Sequence, residues 1–309
     1  MKKKTLSLIT AAVLAATALA GCSTSSAPAS GDAAAATESA QDTAAAGTTA
    51  AADDSAAGED KELQKITVAA SPTPHAEILA AAKPLLAEQG YDLEVTEFQD
   101  YVQPNKVVDS GEIDANYFQH IPYLDSFNEE QGTDLVVAGK IHYELFGIYP
   151  GTKTSLDDIA DGDTIAVPND TTNEARALLL LQENNIIKLK DGAGLEATVN
   201  DIDWDNSSYK VNIEELEAAQ ISHVIGEVSY AILNGNYALQ SGLSAEHDAL
   251  VYESGDSDAV QTYVNVIAVK NGRENDPAIQ ALVNVLKSDE IKKFIDEKYN
   301  GAVLPAVEE

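Results

Sequence analysis

Apolar positions recur along this chain with two periods, and the two periods alternate. Lys65-Ile66-Thr67-Val68-Ala69-Ala70 is a short β-branched run that stops at Ser71-Pro72-Thr73-Pro74, a strand running into a turn. From His75 to Gln89 the residues Ile78, Leu79, Ala82, Leu85 and Leu86 fall at helical spacing, and Gly90 follows as a stop. Leu93–Phe98 alternates as a strand, and Asn105–Ser110 predicts a short helix before Gly111. Ile113–Phe118 predicts another strand, Ile121–Gln131 a helix and Leu135–Ala138 a strand.

A second series starts after Tyr149-Pro150-Gly151. Thr164–Pro168 predicts a strand, and Thr172–Asn184 a helix containing the unbroken run Leu178–Leu181. Lys210–Ile213 predicts a strand, Val228–Asn234 a buried strand followed by a turn, and Val264–Val269 a strand. Helices over Asp276–Leu286 and Asp289–Lys298 close the chain. Such alternation is the mark of an α/β fold with largely parallel sheets. Two series with a final strand and helices predict two lobes, with crossings near 139–149 and 255–264. Residues 65–145 and 262–309 are expected to form lobe 1, and residues 146–261 lobe 2. Ligands of such folds sit at the carboxyl ends of strands, here the cleft between the lobes.

The amino terminus follows neither period. Lys2-Lys3-Lys4 precedes an apolar run from Leu6 to Ala20 and then Gly21-Cys22. A positive segment followed by a short apolar one reads as a secretory signal, over residues 1–21, and the run is short for a membrane span. Leu19-Ala20-Gly21-Cys22 resembles the bacterial lipobox, in which the chain is cut before the cysteine and the thiol is acylated. Two or more acyl chains give stable membrane attachment. Residues 23–60 contain no Leu, Ile, Val, aromatic or basic residue. Such a segment cannot bury enough apolar surface to offset its ordering entropy. Residues 22–64 are therefore expected to be a lipidated cysteine on a disordered acidic linker.

Composition narrows the function. Of 309 residues, 44% are apolar, enough for a buried core. Nineteen Lys and Arg stand against 51 Asp and Glu, a net charge of −32. That disfavours nucleic acid and anionic lipid surfaces, which need a basic footprint. The single cysteine excludes a disulfide framework and a cysteine-rich metal site. There is no G-x-S-x-G, no phosphate-binding loop and no strand-then-G-x-G-x-x-G. With Cys22 assigned to lipid, nothing local supports nucleophilic catalysis, and no enzyme is expected. The histidines at 75, 120, 142, 223 and 247 form no H-E-x-x-H or H-x-H pattern, so a metal site would need tertiary folding to gather three. No cofactor is expected.

Two segments carry candidate chemistry. Gly111–Asp125 crowds Phe118, His120 and Tyr123 into six residues where a strand gives way to a helix. Pro168–Arg176 places one of only two arginines just past a strand, near a helix start that Thr171 or Thr172 would cap. A cation there opposes the helix dipole, so another partner must hold it. A guanidinium fork beside free helix N–H groups suits a carboxylate. Arg273, between Gly272 and Glu274, reads as a surface arginine paired with acids.

Over residues 65–305 the chain resembles the methionine-binding lipoproteins of ABC uptake systems, the MetQ or NlpA family. The resemblance rests on several blocks. One is Asp100-Tyr101-Val102-x-Pro104-Asn105, followed by Ile113-Asp114-Ala115-Asn116 and Phe118-Gln119-His120-x-Pro122-Tyr123-Leu124-Asp125. Next come Pro168-Asn169-Asp170-x-Thr172-Asn173-x-x-Arg176 and Leu178–Gln182, leading to Ile187–Gly192. Glu215-Leu216-Glu217-Ala218-x-Gln220 and Asn234-x-x-Tyr237-Ala238 continue it. It implies a periplasmic-binding-protein-like fold. It implies that Arg176 clamps an α-carboxylate, that Asn173 and Asn234 bond the amino acid head group, and that Tyr101, Phe118, His120 and Tyr123 surround the side chain. A soft thioether suits such rings. The implied partners are methionine, a permease and ATPase pair, and the cell membrane, reached from its extracytoplasmic face through Cys22. Other amino acids, short peptides, a metal ion or an adhesin role are the competing readings.

Overall fold

The computed structural model describes residues 62–254 and 261–307. The signal segment, Cys22, the linker through residue 61 and much of the expected crossing at 255–264 lie outside them. Among the described residues no helix is long and apolar enough to cross a membrane.

The first sheet takes its strands from both ends of the folded region. These are β1 (Gln64–Ala70), β2 (Tyr91–Glu97), β3 (Ala115–His120), β4 (Leu135–Glu144), β10 (Asn265–Lys270) and β11 (Val303–Pro305), in the order β11-β4-β10-β3-β1-β2. The second sheet holds β5 (Gly147–Pro150), β6 (Thr164–Pro168), β7 (Asn212–Leu216), β8 (Tyr230–Leu233) and β9 (Val251–Tyr252), in the order β7-β6-β8-β5-β9. The fold is a two-sheet α/β architecture.

The sheets are mixed rather than largely parallel. β1 pairs parallel with β2 and β3, but β10 runs antiparallel to both β3 and β4, and β11 antiparallel to β4. In the second sheet β6 pairs parallel with β7 and β8, while β5 runs antiparallel to β8 and β9. The crossovers are the cause. β1 to β4 all run in one direction, and β4 hands the chain to β5 through Leu145 and Phe146. A strand that leaves or re-enters at that end must run opposite to the strands that finish there, and β5 and β10 are those strands. The carboxyl ends of β3, β4, β6 and β8 consequently face one region.

Each sheet is buried on both faces, and the period of two shows it. Ile66, Val68 and Ala70 join one core cluster while Ala69 joins another. Ile267 and Val269 likewise face away from Val266 and Ala268. One face of the first sheet packs on α1 (Glu77–Glu88), α8 (Pro277–Leu286) and α9 (Asp289–Tyr299). The other packs on α2 (Gln103–Asp109) and α3 (Ile121–Gln131). In the second sheet Ile165, Val167, Tyr230 and Ile232 pack on α4 (Thr171–Glu183). Ala166, Ala231 and Leu233 meet Ile221 of α5 (Ala218–Val224) and Ala238 of α6 (Gly235–Gln240). A short α7 (Ala245–Asp248) precedes β9.

Several elements differ from expectation. β3 extends to His120, because that side chain caps α3 by accepting from the Tyr123 N–H. β4 is ten residues long and runs through Glu144 to the crossover. The turn expected after β8 is a helix, α6, with Asn234 as its N-cap. The cap of α4 is Asp170, neither threonine, because its carboxylate accepts from the Asn173 N–H.

Candidate ligand-binding site

A pocket lies where the two sheets meet, lined by Tyr101, Phe118, His120, Tyr123, Asn173, Arg176 and Asn234. The fold thus gathers all seven sequence-predicted residues around one space. Gln119, Glu144, Gly235, Asn236 and Asn265 complete the wall.

One side is aromatic. Tyr101 leaves the loop after β2 with its ring centroid 5.8 Å from Phe118 and 5.7 Å from Tyr123; Phe118 and Tyr123 lie 5.9 Å apart. Tyr237 of α6 comes within 5.0 Å of Tyr101. Edge and tilted contacts of this kind give a firm apolar surface. Burial holds the Tyr101 and Tyr123 phenols well above the usual range, so both stay protonated donors. Tyr123 donates to the Tyr101 carbonyl at 3.0 Å, and Tyr101 donates to Asn236 Oδ1 at 2.6 Å.

The other side is a polar relay whose orientation is determined by its partners. Asn173 Nδ2 donates to Asp170 Oδ1 and Oδ2 at 2.8 and 3.0 Å, which turns Oδ1 of Asn173 toward the cavity. That oxygen accepts from Asn234 Nδ2 at 2.9 Å and from His120 Nε2 at 3.1 Å. His120 Nδ1 is already committed to the Tyr123 N–H, so Nε2 carries the hydrogen. Burial, reinforced by the nearby Arg176 charge, pushes His120 down to about 3, so the ring is neutral. The Asn173 amide is fully engaged within the protein, and its Oδ1 joins the His120 end of β3 to the loop after β8.

Arg176 lies on the face of α4 buried against the crossover strands. Its guanidinium stacks between Phe146 and Tyr263, with centroids at 4.6 and 4.1 Å. Nε and Nη2 form a fork with the buried Glu253 carboxylate, the Nε bond being 2.8 Å, and Nη2 also donates to the Glu144 carbonyl at 3.1 Å. Among the described residues Nη1 makes no hydrogen bond. The arginine is therefore anchored on one edge and presents the other. Arg273 lies elsewhere, on Asp114 and Asp276.

Beneath the cavity, Glu144 Oε1 meets His142 Nε2 at 2.9 Å and His75 Nε2 at 3.2 Å. The Tyr117 hydroxyl pairs with His142 Nδ1, and His75 Nε2 also meets Asn265 Oδ1 at 3.0 Å. Burial pushes His75 to about 4 and His142 to about 3, so both are neutral N–H donors to the carboxylate. Burial raises Glu144 as well, opposed by His75, the Asn236 backbone N–H and Arg176. His75, His142 and Glu144 are the one group of potential metal donors gathered among the described residues. The Nε2 atoms and the carboxylate that would face an ion already bond one another. Gly235 makes this closeness possible: a Cβ there would sit 2.8 Å from the Glu144 Cβ.

With this geometry in place, comparison with known proteins decides the family. The model of the NlpA lipoprotein family matches residues 66–307. The chain belongs to the NlpA lipoprotein family. The methionine-binding lipoprotein MetQ of Bacillus subtilis is 43% identical over 249 residues, covering 79% of this chain and 89% of that protein. A lipoprotein structure from Ruminococcus gnavus, 67% identical, superposes with a TM-score of 0.78 over 79% of this chain and all of that one. A nutrient-binding protein of Burkholderia cenocepacia bound to methionine is 40% identical, with a TM-score of 0.74 over 78% of this chain and all of that one.

Sequence reasoning missed Glu144, Asn236, Glu253 and Tyr263. A usable signal existed for two of them. Glu144 and Tyr263 fall within the expected crossings, and a residue in a crossing between lobes borders the cleft by construction. Glu253 and Asn236 carry no such mark, and acids are too abundant here for one to stand out.

Proposed function

We propose that this NlpA-family chain is a lipid-anchored extracytoplasmic solute-binding protein that captures methionine for an ABC importer. The observation that carries the reading is the cavity. An anchored guanidinium with one free edge faces a wall of Tyr101, Phe118 and Tyr123, which suits a carboxylate at one end and a thioether at the other. Arg176 would hold the carboxylate, Asn234 would meet the head group, and His120 and Asn173 would keep the polar wall aligned. Residues 65–145 with 262–309 would form one lobe and 146–261 the other. Cys22 would carry the acyl chains, and a permease and ATPase would receive the ligand. The work is capture by lobe closure, with no bond made or broken.

The test is calorimetric titration of the purified protein with methionine, alanine, leucine and glycyl-methionine, preceded by native mass spectrometry for copurified ligand. Methionine is expected to bind at least tenfold more tightly than alanine. Equal binding of alanine, or glycyl-methionine outcompeting methionine, would overturn the ligand assignment.

A further inference from the structure

Two neighbouring side chains of α6, beside the second sheet, bond the loop that follows β2 of the first. The two bonds run in opposite senses. Tyr101 of the loop donates its hydroxyl to Asn236 Oδ1 at 2.6 Å, and Tyr237 of α6 donates its hydroxyl to the Gln99 carbonyl at 2.9 Å. Each side gives one donor and one acceptor, and the Tyr101 and Tyr237 rings lie 5.0 Å apart. Both partners are organised locally. The Asp100 carboxylate accepts from the Val102 and Gln103 N–H groups at 2.8 Å each, which fixes the loop around Gln99 and Tyr101. Asn236 and Tyr237 are buried, and burial holds the Tyr237 phenol well above its usual range, so it stays a donor.

The wall of the cavity includes Tyr101 and Asn236 but, among the described residues, not Tyr237. Tyr237 and Gln99 line a surface groove instead, with Gln220 and Gln240. The tyrosine of the Asn234-x-x-Tyr237-Ala238 block therefore has a partner across the fold and no place against a solute. A further bond crosses elsewhere. Thr171, at the start of α4, donates its hydroxyl to Glu130 Oε1 of α3 at 2.8 Å. This exposed pair borders another groove, with Val102 and Phe127. α3 packs on the first sheet and α4 on the second. Both crossings thus join the surroundings of one sheet to those of the other, through protein atoms alone.

From these crossings we infer that Tyr237 and Thr171 are closing latches of the cavity, positioning residues that hold the two sheet regions together over a captured solute without touching it. The inference rests on the capture reading above and deepens it. The affinity observed is that of the closed form scaled by the fraction of molecules that are closed. A bond made only on closing raises that fraction by the same factor for every ligand. Such a bond sets affinity and leaves selectivity alone. It also acts on release, because a solute leaves only once the crossing bonds have opened.

The experiment is calorimetric titration of wild type, Tyr237→Phe and Thr171→Val with methionine and norleucine. Thermal unfolding is measured alongside, and release of radiolabelled methionine is followed by rapid filtration. Tyr237→Phe keeps the ring and removes only the hydroxyl. It is expected to bind methionine about threefold to tenfold more weakly, the range of one intramolecular hydrogen bond. The loss for norleucine should match within about twofold, and methionine should leave correspondingly faster. Thr171→Val, in the exposed pair, is expected to lose about twofold on both ligands. Wild-type affinity in a folded Tyr237→Phe would overturn the inference. So would losses differing by more than about threefold between the ligands, which would put the hydroxyl in the ligand subsite. A loss carried by slower association would overturn it too. Should Tyr237→Phe not fold, Thr171→Val decides: binding and releasing methionine as wild type does, it would overturn the inference. These outcomes leave the amino acid reading intact, whereas failure of wild type to bind methionine at all would remove that reading and the latches with it.

Discussion

Arg176 is 4% exposed, stacked between Phe146 and Tyr263 and forked onto a carboxylate that is itself buried. Arg273 is 39% exposed and bridges Asp114 and Asp276 from a loop. Both satisfy the rule that an arginine in an acidic protein finds acids. They differ in what surrounds the pair. Around Arg176 water is excluded and the rings restrict the guanidinium to one plane, so its free edge is organised before any ligand arrives. Around Arg273 solvent competes for every bond, and such a pair contributes little. A salt bridge seen in coordinates says nothing of its worth until burial is known.

The sharpest way to break that contrast is to truncate both. Arg176→Ala removes the proposed carboxylate clamp and leaves Glu253 buried and unpaired. Methionine affinity should fall by about 3–5 kcal/mol, roughly two to four decades in Kd. Arg176→Lys should recover little of it, because an ammonium cannot keep a fork to Glu253 and still present a second edge. Calorimetric titration with thermal unfolding alongside decides the matter. Wild-type affinity in Arg176→Ala would place the binding site elsewhere.

Acid titration separates the two regions by pH. His75, His120 and His142 are held near 4, 3 and 3 by burial, against 6.5 in the unfolded chain. Above 6.5 neither state is charged and nothing is at stake. As pH falls below 6.5 the unfolded chain takes up protons that the folded one refuses, so stability drops by about 1.4 kcal/mol per pH unit for each imidazole, until about pH 4 for His75 and about pH 3 for His120 and His142. Asp114, in the exposed cluster, behaves differently. Its partial burial raises the carboxyl, but the Thr67 N–H and O–H and Arg273 outweigh this and hold it below 3.8. Its contribution is present above 3.8 and is lost only as pH falls further. Urea unfolding at pH 7, 6 and 5 should show the first loss. His120→Gln should flatten the slope by about 1.4 kcal/mol per unit; an unchanged slope would mean His120 is charged or exposed.

The smallest effect belongs to Arg273→Ala. It should cost about 1 kcal/mol or less in unfolding free energy and leave methionine affinity within twofold. A larger loss of affinity would mean that Arg273 and Asp114 reach the cavity through β3.

Much of this was legible beforehand, for physical reasons. The period of two in Ile66-Thr67-Val68 and the helical spacing of Ile78, Leu79 and Ala82 arise from local backbone geometry, so β1 and α1 could be placed within a few residues. Short elements could not. β9 is two residues long and β11 three, and such strands exist only because a neighbour offers hydrogen bonds. The parallel or antiparallel sense of β10 depends on where the chain re-enters, which no local pattern carries.

The site divides the same way. Residue types and spacing brought Tyr101, Phe118, His120, Tyr123, Asn173, Arg176 and Asn234 into one resemblance, because each sits in or just after a strand whose own pattern is readable. Glu253, 77 residues beyond Arg176, meets it only after the chain crosses between the sheets. Nor does sequence indicate that Asn234 must present its oxygen, since that orientation passes from Asp170 through Asn173, across 61 residues at its longest step. Amino-acid order by itself determined the alternation of elements, the acidic charge and the candidate residues, because these depend on neighbours along the chain. Which groups are dry, which are paired and which are left facing the cavity was decided by tertiary structure alone, because desolvation and hydrogen-bond geometry are set by neighbours in space.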